Sequence, residues 1–186
     1  ALARYDELAR TAAMEPLLAD LPDAAVDQAA LRGAEPVVPD NLDVDRHHDR
    51  VESLLERATA VRGFSPAISP AYLTTIPRRV REDVIRLEFV LTDDIVGFMA
   101  AEYPDALSAA ETLDSVSLYR TDEALPVTLL LIETPAGTTV CLELGEAGQV
   151  DGLLVNDTPA ARRWAESAFD RRRRAAEPIS ADSSGP

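Results

Sequence analysis

The side chains best suited to chemistry in this sequence fall into three groups. The first is His47-His48, which stands among Asp43, Asp45 and Asp49. Asp43 and His47 are four residues apart, so on a helix they share a face, as two ligands of a zinc ion would. A structural reading of the same residues is stronger. Adjacent histidines leave a helix in different directions, and carboxylates near a helix N-terminus are favoured by its dipole. No metal is assigned. The second group is Arg171-Arg172-Arg173-Arg174. Four guanidinium groups in one turn make a local positive spot that suits phosphate, yet cations at a helix C-terminus complement the dipole with no ligand at all. With 33 acidic residues against 18 basic ones and a net charge of −15, the capping reading is preferred. The third group is Ser65, Thr92, Tyr119, Arg120 and Thr128. These hydroxyls, one aromatic ring and one guanidinium are suitable equipment for holding a polar small molecule.

The missing residue types narrow the chemistry further. All 18 basic residues are arginine, which excludes a P-loop lysine and a Schiff-base lysine. Glycine-rich phosphate loops, paired cysteines and a G-x-S-x-G turn are also absent from the sequence. No catalytic activity and no cofactor are expected. The acidity opposes nucleic-acid binding by the chain as a whole. It fits a halophilic protein, whose self-repulsion a salt-rich cytoplasm screens; an acidic protein from a GC-rich genome is the plainer alternative. The single Cys141 excludes an intrachain disulfide, and its apolar setting predicts a buried thiol. No apolar run reaches the roughly 18 residues of a membrane span, so a cytoplasmic location is expected. The initial Ala1 fits either methionine removal or a fragment of a longer protein.

These residues need elements to position them. Residues 127–133, 139–144 and 150–155 are short apolar runs cut by Pro135-Ala136-Gly137 and by residues 145–148, a pattern that predicts a meander of strands and tight hairpins. Before it, residues 59–64, 84–91 and 115–120 read as strands. The helices between them start at Ser69-Pro70 and at Thr92-Asp93-Asp94. Strand, helix and strand within about 32 residues make a parallel, right-handed βαβ unit. Pro77 is expected to kink or split the first of these helices. Ile95, Val96, Phe98, Met99 and Tyr103 are expected to be the buried face of the second, and Pro104 restarts it.

Residues 43–57 predict a helix with Val51, Leu54, Leu55 and Ala58 buried, and 35–39 an edge strand limited by its prolines. A helix is expected from Pro22 to Leu31, capped by Gly33. At the start, Leu2, Tyr5, Leu8, Ala9, Ala12 and Ala13 form a thin stripe that fits packing on a second copy as well as on its own core. The last helix buries Ala161, Trp164, Ala165, Ala168 and Phe169. The fold class is therefore α/β, a mixed sheet with a parallel βαβ part and an antiparallel meander, covered by helices, with an N-terminal helical extension. The expected division is 1–33 as linker and dimerisation segment, 34–178 as α/β sensor domain and 179–186 as tail. The usual site in such a sheet lies outside the carboxyl ends of the parallel strands. Residues 127–133 border it, and the later hairpins serve as dimer surface or as cover for the last helix.

From about residue 31 onward the chain resembles a known family. The features are Arg62-Gly63-Phe64-Ser65-Pro66, the helix from Tyr72 to Arg81, Leu87-Glu88-Phe89-Val90-Leu91-Thr92, Phe98-Met99-Ala100-Ala101-Glu102-Tyr103-Pro104, Leu118-Tyr119, Leu125-Pro126, the strand Val127-Thr128-Leu129-Leu130-Leu131-Ile132 and Thr158-Pro159-Ala160-Ala161-Arg162-Arg163-Trp164-Ala165. Together they look like the domain that follows the winged helix-turn-helix in haloarchaeal transcriptional regulators related to a methanogenesis regulatory protein. The strand order is similar to half of a phospholipase D-like unit, as in TrmB-type regulators. The enzymes of that superfamily need a His-x-Lys motif, which a chain without lysine lacks, so the resemblance implies fold and not hydrolysis. It further implies an effector-sensing, homodimerising domain that reaches DNA only through a separate head, with no membrane partner. A ligand-free interaction module is the alternative.

Overall fold

The computed structural model describes residues 2–19, 21–22, 25–39, 45–145 and 150–179. In chain order these form α1 (Leu2–Leu18), α2 (Gln28–Leu31), β1 (Glu35–Val37), α3 (Arg46–Leu55), β2 (Ala60–Ser65) and α4 (Pro70–Arg81). There follow β3 (Arg86–Thr92), α5 (Asp93–Glu102), α6 (Pro104–Thr112), β4 (Val116–Thr121) and β5 (Thr128–Thr134). The chain continues with β6 (Gly137–Leu144), β7 (Gly152–Asn156), α7 (Pro159–Ala175) and β8 (Glu177–Pro178). The strands make one mixed sheet in the order β1-β7-β6-β5-β2-β3-β4-β8. β2, β3 and β4 are parallel, β5, β6 and β7 are the antiparallel meander, and the halves meet where β2 pairs antiparallel with β5. Both edges are closed by very short strands that contain proline, Pro36 and Pro178.

The near-continuous apolarity of β5 follows from cover on both faces. Leu130 and Ile132 join Val61, Phe89, Leu91 and Cys141 in the core beneath α3, α4 and α5. Leu129 and Leu131 belong with Val140, Leu142 and Leu154 to the core beneath α7. Ala161, Ala165 and Ala168 are the small residues that let α7 lie close on the sheet, with Phe169 filling the space between. The α7 start is held as expected, with the Thr158 hydroxyl accepting from the Ala161 N–H at 3.3 Å. The meander is interior. α7 packs on β5 and β6, and all five residues of β7 are buried, so these strands act as cover for the last helix.

Several local expectations are corrected. Pro77 neither ends nor splits its helix, since α4 runs unbroken from Pro70 to Arg81; the packing of Ile76 and Val80 on the core holds it through the proline. α2 begins at Gln28, after a bend at residues 25 and 26, and it stops before Gly33 at φ 81°. The second half of α1 packs on its own chain: Met14, Leu17 and Leu18 lie against the α7-side core. Leu17 sits over Gly152, where any Cβ would come within 2.7 Å of it. The side chains of residues 2–9, the 145–148 turn beyond Gly145 and the tail 180–186 lie outside the described residues.

Asn156 ties the ends of this scaffold together. Buried at 3% exposure, its amide donates to the carbonyls of Ala30 (2.8 Å) and Arg32 (3.1 Å), and its oxygen accepts from the Thr158 N–H (2.9 Å). Asn156→Ala is expected to cost about 2 kcal/mol, because one buried and two half-buried backbone groups lose their partner at once. Urea unfolding at constant salt measures it.

Candidate ligand cavity and buried polar cluster

A cavity of about 610 Å³ opens on the α3–α4 face of the sheet, over β3 and β4. α4 supplies Leu73, Ile76 and Val80 to one wall, the sheet supplies Phe89 and Leu118 as floor, and α5 supplies Met99 opposite. α5 stops at Glu102 and α6 restarts at Pro104, and the residues of this break, Glu102 to Asp105, line the cavity opposite α4. Polar groups are confined to the rim, where Arg81, Glu102 and Asp105 stand. Such a lining suits an apolar molecule of drug-like size. Two residues expected in the α5 core are instead exposed, Phe98 (46%) and Tyr103 (38%). Tyr103 lines the cavity, and Phe98 lies against it with ring centroids 5.8 Å apart and the rings tilted by 57°. The extra apolar residues on α5 exceed what one buried face accommodates.

A buried polar cluster lies behind the cavity wall formed by Ala67, Ile68 and Tyr72. The Ser65 hydroxyl donates to the Ala67 carbonyl at 2.6 Å and accepts from the Ala67 N–H at 3.1 Å. Its 2.6 Å contact with Thr128 is then filled by the threonine proton. Thr128 stands opposite Glu143 across the β5–β6 ladder, on the same face as Cys141 and Leu130. Glu143 is only 6% exposed, and among the described residues it makes no ion pair. Burial pushes its carboxyl up to about 7, a rise that the nearby Tyr72 hydroxyl partly opposes. Burial likewise raises Tyr72 well above its ordinary value, with the Glu143 charge adding to it. Cys141 is pushed up to about 12, by burial first and Glu143 second, so its thiol is inert at neutral pH.

Two hydroxyls in this cluster are unspent. Ser69 has the extended backbone of an N-cap for α4 but makes no side-chain cap bond. Its Oγ and the Tyr72 Oη are buried beside each other and near Glu143, yet neither forms a hydrogen bond of proper geometry. Buried polar groups are nearly always satisfied.

The five residues expected to hold a ligand separate into four places. Ser65 and Thr128 come together at the carboxyl end of β2. Thr92 is the N-cap position of α5 without a side-chain cap bond. Tyr119 lies on the opposite face, under the Arg173 guanidinium at 5.1 Å. Arg120 pairs with Glu177 at 3.1 Å and so fastens β8 to β4. None of the five is among the cavity-lining residues. Sequence reasoning missed Tyr72, Ser69 and Glu143 as a group. A signal existed, because Glu143 is two residues from Cys141 and so shares the face of a thiol read as buried.

The arginine run is engaged within the molecule. Arg172 pairs with Glu123, Arg173 with Glu88 at 3.0 Å and Arg174 with Asp170 at 3.7 Å. Of the histidine pair, His47 is buried and lies against His48 with centroids 4.0 Å apart and the rings tilted by 41°; Asp43 lies outside the described residues. Among those residues no helix is long and apolar enough to cross a membrane.

Comparison with solved structures gives the same architecture. TrmBL2, described as an archaeal chromatin protein with a novel mode of DNA binding, aligns with a TM-score of 0.54 at 13% identity. The match covers 95% of this chain, which spans 64% of that protein's length. Nuc, a phospholipase D family member from Salmonella typhimurium, aligns with a TM-score of 0.52 at 10% identity over 80% of this chain and 99% of its own. NucT from Helicobacter pylori gives 0.58 at 9% identity, over 78% and 98%. At these identities the likeness is one of fold. No curated protein matches the sequence itself. The family model of the methanogenesis regulatory protein FilR1, middle domain, matches residues 44–175, and the chain belongs to that family of regulator domains.

Proposed function

We propose that this chain is the effector-sensing and dimerising part of an archaeal transcription regulator, acting in a salt-rich cytoplasm and contacting DNA through a separate head. The division into a helical segment at 1–33, a sensor at 34–178 and a tail at 179–186 belongs to this reading. The observation that carries it is the cavity of about 610 Å³ between α4 and the α5–α6 pair. A small molecule there touches two helices and the floor strands at once, so its affinity differs between arrangements that move those helices. Unequal affinity for two arrangements is what sensing requires. The membership in a regulator family and the fold shared with TrmBL2 support it. No chemistry is proposed for the chain itself.

A thermal-shift screen of metabolites in high salt tests the reading. At about 100 times its Kd, an effector is expected to raise Tm by about 5 to 10 °C. Leu118→Trp, which fills the cavity floor, is expected to abolish the shift while leaving the fold intact. Ligands that stabilise both proteins equally would place binding elsewhere and sink the cavity as sensor.

A second reading, an interaction module without a ligand, is favoured by the exposed Phe98 and Tyr103 rings. Sedimentation of Phe98→Glu discriminates the two. Dissociation of a dimer, with no metabolite shift in the unchanged chain, would favour the module.

A further inference from the structure

Resting on the cavity reading, we propose that the effector is amphipathic and cationic: its apolar body fills the cavity and its ammonium head reaches Glu143 past the Tyr72 side chain. Three observations converge on this chemistry. The cavity lining is mostly apolar, and its charged residues, Arg81, Glu102 and Asp105, are exposed ones, so it takes a hydrocarbon or aromatic body. Tyr72 lines that cavity with its ring while its hydroxyl sits in the polar cluster behind, so one side chain separates the two spaces. Beyond it lie a carboxyl 6% exposed that makes no ion pair among the described residues, and two buried hydroxyls, Ser69 and Tyr72, that stand near it without a hydrogen bond of proper geometry.

A buried acid without a counter-charge is costly, and a ligand ammonium supplies the charge and three donors together. The head would take Glu143 as its ion-pair partner and the Ser69 and Thr128 oxygens as acceptors. Rotation of Tyr72 away from Glu143 would open the passage. An anionic head would meet the Glu143 carboxylate, and a neutral alcohol head would gain a hydrogen bond without the charge. The order of preference is therefore amine, alcohol, carboxylate.

Binding is also linked to pH. The groups facing Glu143 are Tyr72 from α4, Thr128 from β5, Leu153 from β7 and Cys141 on its own strand, with Arg50 of α3 acting on Cys141. Of these only Glu143 titrates near neutrality. Below its transition the head meets a protonated acid, and above it a carboxylate, so amine binding strengthens as pH rises from 6 to 8.

Tryptamine, tryptophol and indole-3-propionate share one apolar body and differ in the head. Calorimetric titration in 1 M salt, which screens the acidic surface, compares them on the full chain and on Glu143→Gln and Glu143→Asp, each checked for folding by circular dichroism. The expected result is at least tenfold tighter binding of tryptamine than of tryptophol at pH 8, a smaller advantage at pH 6, loss of the advantage in Glu143→Gln and partial retention in Glu143→Asp. Equal binding of all three probes, or an amine preference that survives Glu143→Gln, overturns the head-group assignment while leaving the cavity as a sensor. Binding of none of them, together with no hit in the metabolite screen, overturns the cavity reading and this inference with it.

Discussion

Gly63→Ala is expected to destabilise the protein by about 3 kcal/mol or more, among the largest effects of any single methyl group added to this chain. Gly63 lies in β2 at the seam of the sheet, with β3 on one side and β5 on the other. A Cβ built there falls 2.1 Å from the Leu129 carbonyl oxygen and 3.0 Å from the Phe89 ring. The oxygen belongs to backbone held by its own ladder, so it has nowhere to retreat. The parallel and antiparallel halves would have to part at the strand that joins them. Gly97→Ala is the matched control, since a Cβ in that α5 position meets nothing within 4 Å; it is expected to stabilise by up to about 1 kcal/mol through helix propensity. Urea titrations of the two variants at one salt concentration make the comparison. A Gly63→Ala protein within the error of wild type would show that the seam is not as close as described.

The second large effect is electrostatic. Glu143 has an ordinary value of 4.5, which burial raises to about 7 in the folded chain. Below pH 4.5 it is protonated folded or unfolded and contributes nothing to the difference. Between 4.5 and 7 the unfolded chain releases the proton while the folded chain keeps it, so stability falls as pH rises. Above 7 the penalty is complete, on the order of 3 kcal/mol. Glu143→Gln keeps the shape and removes the titration, so it is expected to be more stable than wild type at pH 8 and close to it at pH 4. The difference between the two Tm–pH curves isolates this group from the many surface carboxylates. Curves that stay parallel from pH 4 to 8 would refute the buried, unpaired state of Glu143. A cationic ligand that recovers part of the penalty at pH 8 would connect this cost to binding.

The sheet was legible because its signals are local. Alternation in 115–120, the unbroken apolar run of 127–133 and the caps at Ser69-Pro70 and Thr158-Pro159 each report on a few neighbouring residues, and all four elements form where they were read. The parallel and antiparallel halves followed from the helices lying between the first strands and the hairpins between the later ones. The cavity was hidden for a physical reason. It depends on how far α5 and α6 stand from α4, a distance that no short stretch encodes. Phe98 and Tyr103 misled for the same cause: apolar side chains look like core whether they fill a space or border one. Ser65 and Thr128 read in the sequence as two separate hydroxyls, and the fold joins them by a hydrogen bond across 63 positions. Glu143 was lost among 33 acidic residues, although its place two residues from the buried Cys141 marks its face.

The proline-containing strands at the two edges bear on how this protein behaves when crowded. Its large negative charge keeps copies apart in dilute buffer, but concentrated salt removes that protection within a few ångströms of the surface. Colloidal stability then rests on shape. β1 offers three residues and β8 two, each with a backbone nitrogen that carries no hydrogen, so neither edge is a template on which another sheet can grow. Salt cannot screen a missing hydrogen. Neighbouring molecules are left to meet through their helices, where contacts are reversible and depend on side chains.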